Sequence, residues 1–149
     1  MANKQRISNI REVGFLYKRM EGIDLSVCWY CGAAREHLDH CPPISLAAVM
    51  DVDQYRREGG EFFLVPSCAE CNITLGSVKL CTPYERLFFM YKKLMDKINR
   101  NWVAWPHEEI NELRGNLKKF VVIRKKKTEK DVFRFRMIEK RIIENRAQS

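Results

Sequence analysis

Two Cys-x-x-Cys pairs, Cys28/Cys31 and Cys68/Cys71, stand with 36 residues between them and constrain this chain more than any other feature. Two intervening residues let one tight turn present both sulfurs to a single ion. Two such turns complete a closed tetrahedral site with sulfur about 2.3 Å from zinc. Gly32 directly follows the first pair and relaxes its turn. A thioredoxin-like redox pair or an iron–sulfur cluster are the rival uses of these thiols. The redox pair needs only one motif beside a βαβ pattern, which this sequence lacks. Structural zinc is therefore the expectation. Cys41 and Cys81 are left over and are read as small buried hydrophobes, and His37 as a surface histidine rather than a spare ligand.

Disulfides are the other use of six cysteines, and they belong to oxidising compartments. The first residues, Met1-Ala2-Asn3-Lys4-Gln5-Arg6, lack an apolar secretory core, and no stretch of about 18 apolar residues occurs. An intracellular protein is expected, in a host cytoplasm if phage-encoded. The 149 residues suit one compact domain with an appendage. Charge divides unevenly along them. Residues 114–149 hold 13 Lys/Arg against 4 Asp/Glu, whereas the first 113 hold 14 against 15. Basicity confined to the C-terminal quarter suits a polyanion, and nucleic acid is the commonest; the bland alternative is a solvated helical surface. Lys125, Lys126, Lys127, Arg134 and Arg136 are the expected phosphate contacts.

Periodicity predicts a helix over 9–20, capped by Asn9 and ended by Gly22. Short strands are expected from Glu36 to Cys41, stopped by Pro42, and over Phe62–Val65, stopped by Pro66. One helix is expected between them, over 45–57. Thr82, Pro83 and Glu85 form a capping box that opens a helix running to about Asn101. Its apolar stripe, Tyr84, Leu87, Phe88, Tyr91, Leu94, Met95 and Ile98, is either core or a homodimer interface. A linker over Trp102–Pro106 leads to a helix from Pro106. Lys125-Lys126-Lys127 are expected to break it, and Thr128 to cap a last helix over 129–146. The division is 1–24 as N-terminal helix, 25–81 as zinc-bound core and 82–149 as basic helical extension.

Leu38-Asp39-His40-Cys41-Pro42-Pro43 lies between the cysteine pairs, and Asn72 directly follows the second. Phosphodiester hydrolysis needs a water activated near neutral pH, and histidine's unperturbed pKa of about 6.5 suits that task. It also needs a cation against the phosphate. The order Cys-x-x-Cys-Gly, Asp-His-x-Pro-Pro, then Val65-Pro66-Ser67-Cys68-Ala69-Glu70-Cys71-Asn72 resembles the zinc-containing branch of the HNH endonucleases. The match covers about residues 28–80.

That resemblance implies an α+β chain: a small ββα-metal, treble-clef-like core stapled by zinc, with added N- and C-terminal helices. It implies that His40 is the general base. It also implies that Asp39 and Asn72 hold a catalytic Mg²⁺ or Mn²⁺, ions that suit hard oxygen ligands. Double-stranded DNA would be the substrate, cut or nicked. The sequence departs from the family in three places. Residues 61–66 carry no Asn where the family has its middle one, Leu75 replaces a Lys, and the insert after Pro43 is long. Two other readings stand beside the nuclease: a zinc-stabilised DNA-binding module without catalysis, and a protein-interaction scaffold.

Overall fold

The computed structural model describes residues 2–102 and 106–147, so residues 103–105 of the expected linker lie outside the described residues. The chain is mixed α+β and divides into two compact units, Met1–Met90 and Tyr91–Ser149. No described helix is long and apolar enough to cross a membrane.

The first unit opens with α1, Ala2–Val13, and a 3-10 turn, Gly14–Leu16. The helix thus starts and ends earlier than the sequence periodicity predicts. Asn9 lies inside it rather than capping it, and its side chain accepts a hydrogen bond from Gln5 one turn back. Strand β1, Lys18–Arg19, follows at once. Strands β2, His37–Cys41, and β3, Phe63–Ser67, pair antiparallel, and β1 joins β3 in parallel, giving the order β1-β3-β2.

Pro66, expected to stop β3, lies within this central strand, opposite Leu38. Its carbonyl accepts from the Trp29 amide, on the side away from β2. The nitrogen without a hydrogen faces that same way, beyond the reach of two-residue β1, so the ladder keeps all its bonds.

The connection between β2 and β3 carries two short helices instead of one: α2, Ile44–Ala47, and α3, Val52–Arg57. Asp51 causes the break. Its carboxylate accepts from the Gln54 amide and caps α3, the local side-chain bond that competes with continuous helix. Val13, Tyr17, Ile44, Ala47 and Phe62 form a buried core here, with Tyr55 and Leu64 packed against it. Gly60 allows the close approach of the Tyr55 ring, because a Cβ there would lie 2.5 Å from it. Helix α4, Ala69–Leu75, follows β3 directly.

Helix α5, Pro83–Asn101, contains the boundary between the units. Its capping box forms as expected: the Glu85 amide donates to Thr82 Oγ1 at 3.2 Å, and the Thr82 amide donates to Glu85 at 3.4 Å. Leu87 and Leu94 of the stripe are buried within the chain, as is Met90 on the same helix.

The second unit continues with α6, His107–Glu112, and α7, Gly115–Ala147. The helix predicted from Pro106 breaks at Leu113–Arg114, where Gly115 takes φ +67°, and not at the lysine run. Lysine is a good helix former, and Lys125–Lys127 sit inside α7. Thr128 is no cap; its hydroxyl is within hydrogen-bonding distance of the Arg124 carbonyl one turn back and of the Asn101 carbonyl at the end of α5. Arg124 also donates to Arg100 and Asn101, so α7 caps the C-terminal carbonyls of α5. Tyr91 stacks on Phe135 with ring centroids 4.7 Å apart.

Candidate metal centre and adjoining cavity

The first cysteine pair sits in a tight knuckle. The Cys28 amide donates to the Ala33 carbonyl at 2.6 Å and the Gly32 amide to the Cys28 carbonyl at 2.8 Å. Gly32 has φ +78°, a conformation glycine adopts without strain. Trp29 ties the knuckle to β3 through the Pro66 carbonyl. The second pair straddles the start of α4. Cys68 is its N-cap residue, with Sγ accepting from the Cys71 amide at 3.4 Å. Glu36, just before β2, accepts from the Ala69 amide at 2.7 Å and fixes the same helix start.

These two supports bring Cys28, Cys31, Cys68 and Cys71 together, all buried, with their sulfurs within 4.8 Å of one another. Cys31 and Cys68 stand 3.6 Å apart. Tetrahedral sulfurs around zinc stand about 3.8 Å apart when each bond is about 2.3 Å. Hydrogen bonding among the thiols holds Cys31 and Cys68 below the ordinary thiol range and pushes Cys28 and Cys71 above it. Buried sulfurs this close cannot all ionise without a cation between them, so the donor set and its spacing fit one metal ion. Cys41 and Cys81 stay outside the cluster. Cys41 is fully buried and its thiol donates to the Cys81 carbonyl, while Cys81 itself is half-buried.

The expected catalytic residues sit between these supports. Successive strand side chains leave on opposite faces, so Asp39 and His40 part company on β2. His40 is half-buried, and the ring of Tyr17 meets it edge-on with centroids 4.8 Å apart. Burial, and then the charge of Arg6, hold its imidazole below the ordinary histidine range. His40 and Asn72 border one cavity of about 620 Å³, which Gln5, Arg6 and Asn9 of α1 also line.

Asp39 also borders this cavity, but its carboxylate is already engaged. Arg86 of α5 donates from Nη2 to Oδ1 at 2.8 Å and from Nε to Oδ2 at 3.0 Å, and the Tyr30 hydroxyl donates to Oδ2 at 2.7 Å. Asp39 and Arg86 are both buried. Burial pushes the Asp39 carboxyl above its ordinary value, while Arg86 and Tyr30 pull it back. The resemblance gives no role to Arg86, Tyr30, Tyr17 or Arg6. An Asp–Arg pair 47 residues apart leaves no local signal, although an arginine inside an apolar helix face is a hint of one.

The expected phosphate contacts in the second unit separate into two groups. Lys126, Lys127 and Arg136 are exposed on α7 and Lys125 is half-buried. Arg134 differs from expectation. It is buried, with Nη1 3.7 Å from Asp131, because it lies one turn from that carboxylate on the inward face. Lys97 pairs with the same Asp131 at 3.1 Å.

Comparison with protein-family models, with curated proteins and with solved structures finds no match for this chain.

Proposed function

We propose that this chain is a DNA phosphodiesterase of the zinc-braced HNH endonuclease type. One observation carries the reading: His40 and Asn72, from β2 and α4, border a single cavity beside the knuckle and helix start that the four cysteines pin together. Zinc bound to Cys28, Cys31, Cys68 and Cys71 supplies a cross-link in place of a large core and takes no part in the chemistry.

His40 is the general base. Its lowered pKa keeps the imidazole neutral at pH 7, the form able to take a proton from water. The edge-on Tyr17 ring holds the imidazole plane. Asn72, on the cavity lining, is the residue whose amide positions the phosphate or water by hydrogen bonding. Lys125, Lys126, Lys127 and Arg136 supply a sequence-independent attraction to the DNA backbone.

The Mg²⁺ or Mn²⁺ implied by the resemblance does not fit the donor pair expected for it. Asn72 is available, but both Asp39 oxygens are hydrogen-bonded to Arg86 or Tyr30. A divalent ion at that carboxylate would also stand beside the Arg86 guanidinium and be repelled by it. Asp39 is instead a positioning residue that fixes β2, and with it the neighbouring His40.

The same ion pair favours a second reading, a zinc-stabilised DNA-binding module without catalysis, since it occupies the carboxylate a catalytic ion would use. Cleavage of DNA by the zinc-loaded protein, with His40→Ala as control, separates the two. Loss of cleavage in a folded His40→Ala protein supports the hydrolase, and DNA binding without cleavage by the parent chain supports the module.

A further inference from the structure

We propose that α1 forms the phosphate-binding wall of the His40 cavity, with Arg6 as the residue that grips the phosphate; this rests on the hydrolase reading above. A helix turns about 100° per residue, which places Gln5, Arg6 and Asn9 within one third of its circumference. All three border the cavity of about 620 Å³, a volume in the range of pockets that enclose small ligands.

The charges around this cavity are unbalanced. Among the described residues that border it, the one acid is Asp39, whose carboxylate is paired with Arg86. Arg6 is exposed, and among the described residues no hydrogen bond or ion pair engages its guanidinium. His37 and His40 are the other titratable groups on the lining, and neither is an acid. An anion is therefore the ligand that this set of side chains favours.

The detailed chemistry points to a phosphate. A guanidinium offers planar paired N–H groups that match two phosphate oxygens. Gln5 Nε2 donates to Asn9 Oδ1 at 3.0 Å, which leaves the Asn9 amide hydrogens to donate to a ligand. Arg6 also acts on the His40 ring electrostatically, so the cation and the base work on the same space. Such a cation stabilises the negative charge that grows on phosphate oxygens as water attacks. It belongs to a helix outside residues 28–80, the part that resembles the nucleases.

The test uses the full-length zinc-loaded protein. Inorganic phosphate, added at constant ionic strength, is expected to shift the Nε–H resonance of Arg6 in proton–nitrogen NMR spectra, where chloride does not. Arg6→Ala should lower kcat for cleavage of a DNA duplex about 100-fold with a smaller change in KM, and Arg6→Lys should recover part of the loss. Arg19→Ala, an exposed arginine on β1, should cleave like the parent. Zinc content reports whether each variant is folded. An Arg6 resonance unmoved by phosphate, or an Arg6→Ala protein that cleaves like the parent, overturns the proposal. If the parent chain cleaves nothing, the hydrolase reading fails by itself, and the phosphate titration alone decides the role of Arg6.

Discussion

Arg86 closes on Asp39 through two hydrogen bonds, 2.8 Å from Nη2 to Oδ1 and 3.0 Å from Nε to Oδ2. The pair joins α5 to β2, and Tyr30 brings the Cys28–Cys31 knuckle into the same contact. Desolvating both ions costs free energy that their attraction recovers only while both are present. Arg86→Met should therefore destabilise the zinc-loaded protein by about 3–5 kcal/mol, because it strands a buried carboxylate. Asp39→Asn in the same chain should restore much of that loss, and cleavage with it. Urea unfolding and a cleavage assay on the parent and these two variants check both statements. A double variant that folds fully and cannot cleave would make Asp39 a ligand after all.

The metal centre predicts coupled loss of ion and fold. Cys28→Ser or Cys71→Ser removes one of four buried sulfurs and leaves the knuckle or the α4 start without its cross-link. Each variant should lose stoichiometric zinc, measured by a colorimetric chelator assay, along with cooperative thermal unfolding of the unit Met1–Met90. Cys81→Ser, outside the cluster, should keep its zinc.

How much of this is legible in the sequence depends on distance along the chain. The cysteine spacing, the capping box at Thr82 and the strands around Asp39 and Val65 are local signals, and the structure contains each of them. Misplaced boundaries come from residues with two possible uses. Asn9 and Thr128 look like caps but make hydrogen bonds inside helices, while Asp51 gives no periodic signal and does cap one. The two-residue β1 has too few residues to show alternation. Arg86 meets Asp39, and Arg6 the lining of the His40 cavity, only after folding.

A pH profile follows from His40. Burial and then Arg6 lower its pKa, so the neutral, proton-accepting form persists below the ordinary value of 6.5. Cleavage should be level near pH 7 and fall about tenfold per unit once pH drops below the folded-state value. The unfolded chain binds the His40 proton more tightly, so folding stability is also lost as pH falls from 6.5 toward that value. Arg6→Ala removes one of the two causes and should move the acidic limb to higher pH. A limb that stays in place would separate Arg6 from His40.

The basic face of α7 predicts a salt effect. Replacing Lys125, Lys126 and Lys127 with alanine should weaken binding to all duplex sequences alike. It should also lower the slope of log K against log salt by about 0.9 for each phosphate that these lysines neutralise. Fluorescence anisotropy across a salt series measures this. Replacing buried Arg134 should act on stability and leave the slope alone. An unchanged slope for the triple variant would remove the lysine run from the interface.

We propose hydrolysis of phosphodiester bonds in the cavity between β2, α4 and α1, with His40 as base. Its most direct measurement is the rate at which zinc-loaded protein cleaves linear, supercoiled and branched DNA in buffer containing Mg²⁺ or Mn²⁺. Cleavage by the parent chain, with none by a His40→Ala variant that retains zinc and thermal stability, is the predicted result. Equal cleavage by the two proteins, or no cleavage by the zinc-loaded parent on any of the substrates, would contradict it.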